Sequence, residues 1–154
     1  MIDTSITLEM LNKTGANTLS DNLAIKYVEL SEDELKAQMP IDHRTVQQLG
    51  MMHGGASAAL AEMTGSMAAY LSIDREKFFC VGQELKINHL KAVLGGKVTA
   101  TATALYLGFQ SHVWQIKTHD EAGDLVAFST LTMAVLPLDQ KMKARIGDIF
   151  KKLM

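Results

Sequence analysis

Two features of the stretch Gln47 to Ser72, QQLGMMHGGASAALAEMTGSMAAYLS, can carry chemistry. One is His53-Gly54-Gly55, set just before a run of helix-forming residues, and the other is Glu62, the single carboxylate inside that run. The start of a helix exposes unpaired backbone N–H groups at the positive end of its dipole, and glycine leaves room for an oxygen to reach them. Such an end can hold a developing oxyanion. A carboxylate nearby can attack directly or act as a general base on water. Taken singly, Glu62 fits a solvated helix stripe and His53 fits a packing or capping histidine. Taken together, they put an oxyanion end and a carboxylate on one helix.

The helix that must position them is short of bulk. Ala56, Ala58, Ala59, Ala61, Gly65, Ala68 and Ala69 dominate it, and only Leu60, Met63, Met67 and Tyr70-Leu71 are large. That composition buries little area per residue but lets other backbone approach closely, which suits a helix enclosed by a strongly curved sheet. Before it, residues 6–13 read as a short helix and 18–22 as a further helical turn. LAIKYVEL and ELKAQMPI alternate apolar and polar residues on either side of SEDE, a hairpin pattern, with Pro40 marking an edge or an exit. Residues 42–50 form a connecting loop.

After the helix, residues 78–90 read as a long strand in which Gly82 marks a bulge or a close backbone approach. Gly95-Gly96 reads as a hairpin turn, followed by strands over 97–107, 111–120 and 125–136. Val98, Ala100, Ala102, Ala104 and Tyr106 would share one face of the first of these. Beyond Pro137, Leu138, Met142, Ile146, Ile149 and Leu153 follow helical spacing, so 138–154 reads as a locally basic amphipathic helix packed on the domain of residues 1–137. Hairpin-length links between the last four strands imply an α+β fold with an antiparallel sheet.

Composition narrows the function. The 154 residues carry a net charge of −2 and a pI near 6.2, without the basic excess of a general nucleic-acid binder. One cysteine, Cys80, forms no internal disulfide, and the N-terminus has no basic segment before an apolar stretch, so a cytoplasmic protein is expected. The central run carries His53, Ser57, Glu62 and Ser66, which argues against membrane insertion. Five histidines, at 43, 53, 89, 112 and 119, show no close ligand pairing, so no metal is expected. A nucleotide loop of the P-loop or Rossmann type is absent, and no cofactor is implied.

The sequence resembles the hotdog-fold acyl-CoA thioesterases, in the branch of the aryl-CoA enzymes. The matching residues are Gln47 and Gly50, then His53-Gly54-Gly55-Ala56-Ser57, Ala59-Leu60-Ala61-Glu62 and Gly65-Ser66. Val81-Gly82-Gln83-Glu84-Leu85, His89, Leu107-Gly108 and Trp114 follow. The similarity spans roughly residues 5–136. It implies a sheet of about six antiparallel strands wrapped around the helix, and hydrolysis of an aryl or short to medium acyl-CoA, with coenzyme A present only as part of the substrate. Glu62 would be nucleophile or general base, and the Gly55 N–H the oxyanion donor. Gln47 would touch the thioester carbonyl or orient water, with His53 supporting that end. Ser66, Gly82, His89, Lys91, Leu107 and Gly108 would contact the substrate, with Lys91, Lys86 and His89 nearest the coenzyme A phosphates. Met51, Met52, Met63 and Met67 would line an adaptable acyl pocket or pack in the core.

Helix geometry adds a constraint. Gly55 and Glu62 are seven residues apart, which places them roughly 10 Å apart along the axis. One thioester carbon cannot lie within about 3 Å of both. Two antiparallel helices across a homodimer, itself often paired into a tetramer in the family, would bring Gly55 and Gln47 of one subunit to Glu62 of the other. The rival readings are a hotdog enoyl-CoA hydratase or dehydratase and a non-catalytic acyl-CoA-binding protein. The first lacks its His-Phe-Pro context here, and the second would not need Glu62.

Overall fold

The computed structural model of the chain describes residues 1–144. Its elements run α1 (Leu8–Thr14), α2 (Leu19–Asn22), β1 (Lys26–Leu30), β2 (Glu34–Pro40), α3 (Gly54–Tyr70), β3 (Phe78–His89), β4 (Lys97–Leu107), β5 (Ser111–Asp120) and β6 (Leu125–Pro137). The six strands form one antiparallel sheet in the order β1-β2-β4-β5-β6-β3, and α3 lies against its inner face. This is the expected α+β hotdog architecture. A further helix opens at residues 140–144, where Asp139 Oδ1 accepts from the Met142 N–H at 2.7 Å. The rest of the predicted C-terminal helix, with Ile146, Ile149 and Leu153, lies outside the described residues.

The sheet closes on α3 because the contact points carry almost no side chain. Ala61, Ala68 and Ala69 are fully buried. A Cβ on Gly65 would stand 2.6 Å from Leu131 Cδ2 and 3.1 Å from Ile116 Cδ1, so the sheet's side chains occupy the space that a larger residue would need. The inner face of the sheet alternates as a half-buried sheet should. Leu35, Ala37 and Met39 of β2, Val98, Ala100 and Ala102 of β4, Trp114 and Ile116 of β5 and Leu131 and Met133 of β6 all point inward and are buried. The far end of α3 is tied to the N-terminal segment, where the Asp3 N–H donates to Leu71 O at 2.8 Å and the Asp3 carboxylate pairs with Arg75.

Two expectations change, and one open alternative resolves. β3 and β4 are not a hairpin: β3 pairs with β6 at the far edge of the sheet, and residues 90–96 carry the chain across to β4. Gly96, with φ near 76°, turns the chain at the end of that crossing. Alternation also fails along β4, because the register shifts between Ala104 and Tyr106. Ala104 faces Trp114, whereas Tyr106 faces Val113, so the bulge sends Tyr106 to the outer face. Pro40 closes β2 as an exit rather than marking an edge strand, since β2 lies between β1 and β4. The predicted bulge at Gly82 is present, as a register shift between Gly82 and Glu84.

Replacing Gly65 by valine should cost about 2 kcal/mol of unfolding free energy, because Leu131 and Ile116 fill the space. A urea titration would show a lower midpoint with an unchanged slope.

Candidate active site

Glu62 lies in the middle of α3 on the side that faces β3. The close backbone approach predicted at Gly82 has a definite purpose: a Cβ there would collide with Glu62 Oε1. The same oxygen accepts a hydrogen bond from Ser66 Oγ at 3.2 Å, one helical turn on. Ser66 in turn packs 3.6 Å from Met133 Sδ. Glu62, Ser66 and Gly82 therefore form one group at the β3 side of the helix.

The second group gathers at the start of α3. The connecting loop is pinned first: the Thr45 hydroxyl donates to Pro40 O at 2.8 Å, and Thr45 O accepts from the His53 N–H at 2.8 Å. The Gln47 N–H donates to Met51 O at 2.9 Å, and the Met52 N–H to Val93 O at 2.8 Å. His53 is the N-cap of α3, with extended backbone at φ −70° and ψ 131°. Its Nδ1 accepts the Gly55 N–H at 2.8 Å. The capping role that a lone histidine invites is thus real, and the N–H expected to meet an oxyanion is engaged by it. Gln47 Oε1 accepts from the Leu49 N–H, which leaves the amide nitrogen of Gln47 free to donate elsewhere.

Gln47, Met51, Met52, Gly54, His89 and Lys91 line a cavity of about 360 Å³ together with Leu90, Ala92 and Val93. His89 lies beside the helix start, where a Cβ on Gly54 would stand 3.1 Å from its Nε2. Lys91 offers the cavity its stem rather than a free cation. Its ammonium sits 2.6 Å from Asp120 Oδ2 and 2.5 Å from Asp124 Oδ2, and both hydrogen bonds raise its pKa. Lys86 is exposed on β3 opposite Thr130. Of the four methionines, Met51 and Met52 reach the cavity, whereas Met63 and Met67 pack against the core. Cys80 is no competing nucleophile, because burial pushes its thiol up to about 12.

Leu107 and Gly108 lie apart from both groups. Leu107 pairs with His112, His112 with Met133, and Met133 with Gly82. Three strand spacings, roughly 14 Å, therefore separate Leu107 from Gly82 within one chain. That row contains a residue absent from the expected site. His112 is 4% exposed, beside Trp114, and its Nδ1 has no hydrogen-bond partner among the described residues. The alternation of SHVWQIK already places His112 on the face of Trp114 and Ile116.

Burial, with the positive N-terminal amine as a smaller cause, pulls the His112 imidazole below 6.5. The unfolded chain takes up a proton near pH 6.5 that the native chain refuses, so this group lowers stability as the pH falls through about 6.5. Denaturant midpoints measured from about pH 7 to 5 should fall, and His112→Gln should flatten that slope.

Comparison with known proteins fits this geometry. Residues 49–127 match the model of the Thioesterase superfamily. The proofreading thioesterase EntH of Cronobacter turicensis is 47% identical over 131 residues, covering 85% of this chain and 95% of that protein. The 1,4-dihydroxy-2-naphthoyl-CoA hydrolase of Escherichia coli is 43% identical over 131 residues, covering 85% and 96%. The crystal structure of a mutant of the thioesterase PA1618 from Pseudomonas aeruginosa superposes with a TM-score of 0.87 at 42% identity, covering 89% of this chain and 99% of that one. With a hotdog sheet around a helix that begins at His53-Gly54-Gly55 and carries Glu62 at its middle, the chain belongs to the Thioesterase superfamily.

Proposed function

We propose that the thioester cleaved is an acyl-CoA, and that each site is shared between two copies of the chain. The observation that carries this is the separation of the two groups on α3: Glu62, Ser66 and Gly82 on the β3 side, and His53, Gly55 and Gln47 at the helix start. About 10 Å of helix separates Gly55 from Glu62, too far for one carbonyl carbon to serve both. β3 supports the pairing. It is a 12-residue strand that, among the described residues, is bonded only to β6, so its other edge offers backbone groups for a second copy.

In this reading the thioester carbonyl oxygen lies against the first turn of α3 of one subunit, with the Gly55 N–H and the Gln47 amide as its expected donors. The partner's Glu62 attacks the carbonyl carbon, or takes a proton from the water that does. Thioesters are activated acyl donors and coenzyme A is a good leaving group, so a carboxylate suffices without metal assistance. Ser66 holds Glu62 Oε1 and leaves Oε2 to react. The similarity to an aryl-CoA hydrolase and a proofreading thioesterase favours an aryl acyl group, with the cavity at Met51 and Met52 as the flexible wall.

A panel of aryl, short aliphatic and long-chain acyl-CoAs, followed by thiol release, tests the reading. Aryl esters should turn over fastest, and enoyl-CoA hydration should be undetectable. Glu62→Gln should lower kcat roughly a thousandfold or more while the chain stays folded and associated. Gly82→Ala should also cut kcat, because it displaces the carboxylate without removing it. Glu62→Gln and Gln47→Ala chains refolded together should recover up to about a quarter of wild-type activity, since half of the random dimers hold one intact site. A mixture as inactive as its parents would place the whole site within one chain.

A further inference from the structure

We propose that Asp124 sets substrate preference at the mouth of the cavity, by keeping the Lys91 ammonium away from the phosphates of an incoming acyl-CoA. This rests on the acyl-CoA reading above and names a residue that tunes it. Among the described residues, Lys91 is the one lysine or arginine that lines the cavity. Its stem belongs to the wall, but its charge is directed elsewhere. The ammonium lies 2.5 Å from Asp124 Oδ2 and 2.6 Å from Asp120 Oδ2.

The main chain builds this arrangement. Past the end of β3, the N–H groups of Leu90 and Lys91 both donate to Val126 O, at 2.9 and 3.3 Å, which sets Lys91 beside the first residues of β6. The β5–β6 turn then folds over it, and Gly123, with φ near 84°, lets the chain reverse there. Asp120 Oδ1 accepts the N–H groups of Ala122 and Asp124, at 3.1 and 3.0 Å, so Asp120 ties the turn and offers Oδ2 to Lys91. The Asp124 carboxylate has Lys91 as its partner among the described residues. Two carboxylates against one ammonium leave this corner with a net negative charge. Phosphates that approach it meet no free cation, whereas an acyl group on an uncharged arm is not penalised. The Lys91 and Asp124 side chains are 44% and 61% exposed, so their pair is weak and one substitution can move the balance. In Asp124→Asn the corner becomes neutral, and the ammonium can turn from Asp120 to a phosphate.

Matched esters test this: one acyl group carried on coenzyme A and on pantetheine, the same arm without phosphates. Asp124→Asn should lower KM for the acyl-CoA about two- to fivefold, with kcat unchanged and acyl-pantetheine kinetics unchanged. The acyl-CoA KM of the variant should also rise more steeply with added salt than that of wild type. Placed on a Lys91→Met background, the same Asp124 substitution should shift neither ester. Asp124→Ser, which removes the same charge, should behave like the Asn variant. An acyl-CoA KM unchanged by Asp124→Asn, a gain shared by acyl-pantetheine, or a gain that survives without Lys91 would each overturn the role assigned to Asp124. A wild-type chain that hydrolyses no acyl-CoA would instead overturn the acyl-CoA reading, an outcome distinct from any of these.

Discussion

The Glu62 carboxylate lies against bare backbone at Gly82, and the rest of the structure depends on that contact. Gly82 admits the carboxylate from the β3 side, while Gly65, one turn further along α3, admits Leu131 and Ile116 from below. A helix packed this closely has little freedom to roll, so the direction of Glu62 is set by the main chain rather than by neighbouring charges. Ser66 adds a side-chain hydrogen bond that fixes the carboxylate oxygen. The cost is a core with few large hydrophobic residues along α3, offset by the bulk of Trp114, Ile116, Leu131 and Met133 on the sheet.

Local periodicity carried much of the fold. The alternation of LAIKYVEL, ELKAQMPI and residues 97–107 marked strands, residues 111–120 and 125–136 read as two more, and the alanine run marked α3. What it could not carry was order in the sheet. The polypeptide between β3 and β4 is short enough for a hairpin and contains Gly95-Gly96, yet β3 pairs with β6, the last strand to be made. Pairing of this kind rewards contacts distant in sequence, and no local signal records it. The outward turn of Tyr106 escaped for a related reason, since one bulged residue reverses the faces of everything beyond it.

The candidate site shows the same division. Residue types and helix geometry were enough to separate Glu62 from the Gly55 end, because rise per residue is fixed. The partners of individual polar atoms were not legible. Whether Lys91 faces a phosphate or two carboxylates depends on where the β5–β6 turn, with Asp120 and Asp124, folds back in space. Whether the Gly55 N–H is free depends on one rotamer of His53. His112 was legible by alternation alone, but its missing hydrogen-bond partner was not.

The two edges of the sheet differ in a way that bears on assembly. β3 presents 12 residues along its open side, whereas β1 at the opposite edge has five, interrupted by a register shift between Tyr27 and Glu29 and flanked by the Glu29–Lys36 pair. Two chains joined through their β3 strands would thus leave only short, irregular, charged borders facing outward. Such borders are poor templates for another strand. Pairing at one edge would end there, as a closed two-fold body rather than the first link of a fibre.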